Sequence, residues 1–292
     1  MADTNLSALR QSAAEVSTTC RDVTADEVEH LREHGWVKLT GFVDPDTLTR
    51  ALEVAREEMG EDGDGNPLHP FVEAAVAEGG AGVQYFNAHS PGGLANPVLR
   101  PVIEHVGTTA TRMLGRRKRD GSPLGVRYYQ DLLAPKLPAS KASRHGGNGA
   151  TSFHQDFITF AVDRTGGLTF WIPLEAYGPD AGTMSFVDGS HRLGVMGDYT
   201  TYGDGDALTA FPELQDLEMT PPMHYELGDI TVHTHLTIHG ASENRMQRPR
   251  WAWLVIVQPE DICWNGSPCP NFDHRKMVPW QPMQGDRFPV VG

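Results

Sequence analysis

The chain has 292 residues, 39% of them hydrophobic, enough to bury a sizeable core in one large domain. A formal charge of −14 disfavours nucleic acid and anionic membranes as partners, and no run approaches the roughly 18 apolar residues of a membrane span. Cys20, Cys263 and Cys269 lack metal-finger spacing and leave one thiol unpaired, which suits a reducing, cytoplasmic setting.

Residues 1–23 are polar and rich in Ser, Thr and Ala, and read as a tail without the features of a secretory signal. Thr24, with Glu27 three residues on, has capping-box spacing and predicts a helix to about His34, closed by Gly35. "WVKLTGF" then reads as a strand. Asp44, Pro45 and Gly60 bracket a second helix. The stretch 61–125 is mixed, with "NPVLRPVIEHVGTTATRMLG" helical. From about 125 to 258 short β-rich runs recur: "GVRYYQDLLA", "TSFHQDFITFAV", "GLTFWIPL", "GTMSFVDGS", "MHYELGDITVHTHL" and "RWAWLVIVQP". Helices first and strands afterwards predict one domain over 24–292, mainly β with flanking helices. Its helical part is 24–120, its sandwich or jelly-roll core about 125–258, and its C-terminal wrap 259–292.

Several candidate sites are weak. Asp62, Asp64, Asn66 and Glu73 have calcium-loop spacing, but Pro67 stands where such a loop needs Gly. The basic run Arg116–Arg119 could grip a phosphate, yet on an acidic chain it reads as a solvated loop. His233 and His235 share one face of a strand, as a cupin-like metal pair would, but no Glu follows at a useful spacing.

"HQD" carries more. In an alternating strand His154 and Asp156 project to one face, with Gln155 turned away. His239, from a distant strand, completes a triangle of two imidazoles and one carboxylate. Such a triangle holds Fe(II) on one face and leaves positions open for a bidentate co-substrate and O2. Arg250 follows eleven residues later, at the start of an apolar strand. A buried guanidinium needs an anion, and its planar fork matches a carboxylate, such as the far end of 2-oxoglutarate.

With these residues in place, the sequence resembles the phytanoyl-CoA dioxygenase-like branch of the Fe(II)/2-oxoglutarate oxygenases over most of its length. "GWVKLTGFVDPDTLTRAL" resembles the family's N-terminal part, and "YYQDLLAPKLP" the strand before the metal motif. "HQD", "LTFWIPLEAYGPDAGTMSFVDGSHRLG" and "GDITVHTHLTIHGASENRMQRPRWAW" follow in the family's order. The resemblance implies a double-stranded β-helix, a cupin-like jelly roll buttressed by helices. It implies iron on His154, Asp156 and His239, and the far carboxylate of 2-oxoglutarate on Arg250. Gln130 matches a position that touches co-substrate or substrate, Trp171 one that lines the same cavity, and His191 a structural one. Some members carry Ser two residues after the distal His. Ala241 stands there in this chain, so Ser242 or Thr169 is the candidate for the hydroxyl that assists Arg250.

The implied reaction consumes O2 and 2-oxoglutarate, yields succinate and CO2, and hydroxylates an unactivated C–H bond. A carboxylate at Asp156 fills the room that related halogenases leave for chloride. Phe153, Phe157, Phe160, Trp171 and His235, with Gly-rich segments at 79–83 and 145–149, suggest a partly apolar substrate pocket. A small natural-product intermediate fits better than an acyl-CoA. The competing readings are an acyl-CoA hydroxylase, a non-catalytic jelly-roll binding module, and a cupin-like enzyme that uses His233 and His235 without 2-oxoglutarate.

Overall fold

The structure is a computed structural model and describes residues 19–61, 92–141, 150–197, 205–268 and 277–292. The calcium-like loop, both Gly-rich segments and Cys269 lie outside the described residues. Among those described, no helix is long and apolar enough to cross a membrane.

Helix α1 (Ala25–His34) starts on the expected capping box: Glu27 N donates to Thr24 Oγ1 at 3.2 Å, and Thr24 N to the Glu27 carboxylate at 2.8 Å. Gly35 ends it with φ +83°, in the left-handed region, and His191 packs where a Cβ would stand. Then come β1 (Trp36–Leu39), α2 (Pro45–Met59) and α3 (Arg100–Leu114). The remaining elements are β2 (Val126–Leu133), β3 (Thr151–His154), β4 (Leu168–Pro173), β5 (Met184–Phe186), the single turn α4 (Ala207–Ala210), β6 (Ile230–Thr234), β7 (His239–Ala241) and β8 (Ala252–Pro259).

The strands form two antiparallel sheets, ordered β1-β6-β4-β8-β2 and β3-β7-β5. This is the expected jelly roll, as an open sandwich. Period-two alternation splits the larger sheet into an apolar outer face and a mixed inner face. Val126, Leu168, Phe170, Ile172, Val232, Val255 and Val257 pack outward with α1, α2 and α3 in the main core. The inner face carries Thr169, Trp171 and His233 toward the site.

Two readings change. Residues 20–23 belong to the fold: Cys20 and Val23 are buried and Cys20 bridges Val43. "TSFHQDFITFAV" is a strand only to His154. A 3-10 turn over Asp156–Thr159 follows, closed by Thr159 Oγ1 on the Asp156 carbonyl at 2.8 Å. The basic run stays a solvated loop, and its surface ion pairs, Lys118 Nζ 2.8 Å from Glu260 and Arg116 3.6 Å from Asp261, tie it to the end of β8.

The described parts of the C-terminal segment pack on the larger sheet. Ile262, Trp264, Met283 and Phe288 cluster with Tyr129, Leu132 and Ile256, and Val291 N donates to Val126 O at 3.0 Å. On the outer side, buried Asp131 accepts from Gly93 N at 2.7 Å, Trp253 Nε1 at 2.9 Å and the Tyr128 hydroxyl. It fastens the 92–95 turn to the sheet.

Candidate metal centre and co-substrate site

His154 and His239 are cross-strand partners in the small sheet, so both rings leave the same face. Their centroids are 4.4 Å apart. Gln155 is extended and points away: its Nε2 donates to Gly194 O and Leu236 O, each at 2.8 Å, and its Oε1 accepts from Met196 N at 3.1 Å. Three anchors on one amide fix the turn that returns Asp156 to the side of His154. The expected alternation therefore holds across "HQD", although Asp156 has left the strand.

Asp156 Oδ1 lies 3.5 Å from His154 Nε2 and 3.5 Å from His239 Nε2. One ligand atom from each of the three side chains lies within 4.8 Å of the others, the only such group of His, Cys, Asp and Glu among the described residues. The supporting shell fixes the donors. His154 Nδ1 is 2.8 Å from Ser152 O and His239 Nδ1 2.9 Å from Thr237 O. A carbonyl only accepts, so each Nδ1 carries the proton and each Nε2 offers its lone pair inward. Asp156 Oδ2 accepts from Thr169 Oγ1 at 2.6 Å and faces His233 Nε2 at 3.2 Å. Oδ1 is thereby left for a cation.

Burial alone would raise the Asp156 carboxyl, but the charge of His239 and the hydrogen bonds of His154 and His233 outweigh it and hold it well below the usual carboxylate range. Burial, then the neighbouring His233, pushes His239 well below the ordinary imidazole value. Burial also opposes the charged form of His154, yet the hydrogen bond and charge of Asp156 raise it. An anionic carboxylate and neutral imidazole are the forms a divalent metal binds.

Arg250 is 4% exposed. Its Nη1 donates to Gly182 O at 2.6 Å, its Nη2 to Ala134 O at 3.3 Å, and its Nε has no partner. The guanidinium stands 5.1 Å from the centre of the Trp171 ring. Among the described residues no carboxylate pairs with it, and burial pushes it down to about 10. Lys136 lies close by, also buried, with Nζ donating to Ser242 O at 2.8 Å and Thr151 Oγ1 at 3.1 Å. Burial, then the Arg250 charge, pushes its amine down to about 6. A buried guanidinium without a carboxylate, beside a buried amine that an anion would recharge, makes a seat for an anion.

The remaining sequence candidates divide. Gln130 sits in β2 opposite Ile256, which pairs with Thr169, so it shares the row of the site. Thr169 spends its proton on Asp156, which removes it as the hydroxyl that assists Arg250. Ser242 meets Lys136 through its carbonyl. Phe153 faces away from the metal ligands: strand alternation lays its ring over Gly240 and against the cluster that holds Val187 and Ile238, so it is not a pocket residue. Phe157 and Phe160 line a surface groove just past Asp156. His235 lies beyond the end of β6 and outside the metal group, so it makes no cupin-like pair with His233. Sequence reasoning missed Lys136, whose only signal is a lysine inside the apolar run "LLAPKLP", and the role of His233 in holding Asp156.

The profile of phytanoyl-CoA dioxygenase (PhyH) matches residues 31–252. The chain belongs to the phytanoyl-CoA dioxygenase family. Iron and 2-oxoglutarate are the cofactor and co-substrate of this family, and the N,N,O donor set beside an unpaired Arg fits both. Among solved structures, the non-heme α-ketoglutarate-dependent carbocyclase SnoK from nogalamycin biosynthesis matches with TM-score 0.67 at 22% identity, over 94% of this chain and 99% of that one. The epimerase SnoN, solved with Fe3+, α-ketoglutarate and nogalamycin RO, gives 0.65 at 21% identity over 91% and 98%. EctD from S. alaskensis gives 0.55 at 15% identity over 84% and 82%. At these identities the likeness is one of fold. No curated protein matches the sequence significantly.

Proposed function

We propose that this protein is an Fe(II)- and 2-oxoglutarate-dependent oxygenase that hydroxylates an unactivated C–H bond of a small, partly apolar natural-product intermediate. The observation that carries the reading is the pairing of the His154–Asp156–His239 group with a buried Arg250 that has no carboxylate of its own. When bound, iron and 2-oxoglutarate supply the oxidising power, since reaction with O2 converts the keto acid to succinate and CO2.

This chain's residues do the positioning. His154, Asp156 and His239 would hold the metal, with Thr169 and His233 keeping Asp156 oriented. Arg250 would receive the far carboxylate of 2-oxoglutarate in its fork, over Trp171 and beside Lys136. Gln130 would face co-substrate or substrate from the same row. A groove of ≈ 280 Å³, lined by Phe157, Phe160, Val162, Val195 and Asn265 among others, supports a small and partly apolar substrate. Among the fold neighbours, a carbocyclase and an epimerase belong to nogalamycin biosynthesis, which favours natural-product chemistry over an acyl-CoA.

The test is succinate formation from 2-oxoglutarate by the Fe(II)-loaded protein in air, with a panel of polycyclic natural products added. Succinate that depends on O2 and is lost in His154→Ala supports the reading. No succinate from folded, iron-loaded protein, with or without the panel, would sink it.

A further inference from the structure

We propose that His235 and Gln258 form a recognition pair for a neutral oxygen of the substrate, a hydroxyl or carbonyl, on the side of the metal centre opposite Arg250. The inference rests on the oxygenase reading and narrows its substrate class.

Sheet register orders the inner face into successive rows. Trp171 lies opposite Leu254 and Thr231, beneath the Arg250 guanidinium. Thr169 lies opposite Ile256 and His233, and both Thr169 and His233 hold Asp156. One step further, Gly167 lies between His235 and Gln258: a Cβ there would fall 2.2 Å from His235 Cε1 and 2.5 Å from Gln258 Oε1. Alternate residues along a strand are about 6.5–7 Å apart. The metal centre is the middle row. A 2-oxoglutarate that reaches from it to Arg250 runs toward the Trp171 row, which leaves the His235–Gln258 row on the other side for substrate.

The chemistry of this row is unusual for its place. His235 and Gln258 are buried; the ring approaches the Gln258 amide and the Leu168 backbone, but no ring nitrogen or amide atom reaches good hydrogen-bond geometry. Buried polar groups with such poor partners are costly, and apolar side chains of the same shape would avoid that cost. The surroundings are apolar: the Phe160 ring lies 4.7 Å from His235 and 5.2 Å from Tyr129. Burial pushes the imidazole down to about 4, so it is neutral and offers one donor and one acceptor, while the amide offers an N–H2 donor group and an acceptor oxygen. A neutral oxygen satisfies such a pair, whereas a buried ion would go uncompensated. Phe160 touches His235 and also lines the groove, so it is the wall between the groove and the pair. A substrate seated in the groove reaches the pair once this ring turns aside.

The test uses Gln258→Leu and His235→Leu in the Fe(II)·2-oxoglutarate protein under anaerobic conditions. The probes are 1-tetralone and tetralin, which differ by one carbonyl oxygen, and binding is read from perturbation of the visible iron–keto-acid band. The wild type is expected to bind the ketone about tenfold more tightly, the worth of about one hydrogen bond. In both variants the preference falls to within about twofold, while Tm stays within about 2 °C or rises, because the polar atoms serve a ligand and not the fold. A Tm drop of more than about 5 °C in both variants would make the pair structural and overturn the proposal. Equal binding of the two probes by the wild type, or no binding of either while the band forms, would overturn it as well. Failure of the band to form in the wild type would strike the oxygenase reading itself, and this inference with it.

Discussion

Arg250→Met separates a residue kept for an anion from one kept for the fold. In the free protein the guanidinium is 4% exposed, bonded only to the Gly182 and Ala134 carbonyls, with Nε unpartnered. Hydrogen bonds to a charged group are worth about 1.5–3 kcal/mol each, but burying one unpaired ion costs several kcal/mol. The two nearly cancel, so Tm should move by only a few degrees. Bound 2-oxoglutarate would lose a desolvated, bidentate partner, a cost of about 2–5 kcal/mol and a roughly thirty- to several-thousand-fold rise in Kd. Anaerobic titration of the Fe(II) protein with 2-oxoglutarate, followed by the visible charge-transfer band, measures it. Arg250→Lys keeps the charge without the fork and should fall between. A Kd within about threefold of wild type, or a collapse in Tm with unchanged affinity per folded molecule, would show that Arg250 serves the fold and refute the reasoning.

Three further outcomes follow from the same contacts. Thr169→Val removes the 2.6 Å hydrogen bond to Asp156 Oδ2 and should weaken Fe(II) binding about 10- to 100-fold with little loss of stability; metal titration of folded protein decides, and unchanged affinity would remove Thr169 from the site. Lys136 is held down to about 6, whereas the unfolded chain keeps its proton to about 10, so ligand-free stability should rise with pH across that window. Lys136→Met should flatten that slope in urea unfolding at several pH values, and an unchanged slope would contradict the buried neutral amine. Asp131→Ala strands the Gly93 amide, the Trp253 indole and the Tyr128 hydroxyl, and should cost about 3 kcal/mol or more, a Tm drop of about 6–12 °C. A drop below about 2 °C would mean that relief of the buried carboxylate offsets all three.

The sequence by itself determined what depends on neighbours along the chain. The Thr24–Glu27 capping box, the Pro45 start of α2 and the Gly35 stop are each settled within one helical turn, and each stands where it was expected. The metal group was legible because a ligand set is fixed by donor chemistry and by period two, and both survive the break at Gln155. Only the tertiary structure decided what depends on register between distant strands. His233 reaches Asp156 across 77 positions, and Lys136 comes beside Arg250 through pairing at the start of β8. Phe153, one residue before a ligand, turns to the opposite face, and Thr169 serves Asp156 instead of Arg250. Local spacing says which side chains share a face, but which face meets which is set by how the two sheets close on each other. The burial that creates the anion seat and the unsatisfied His235–Gln258 row exists only once they have closed.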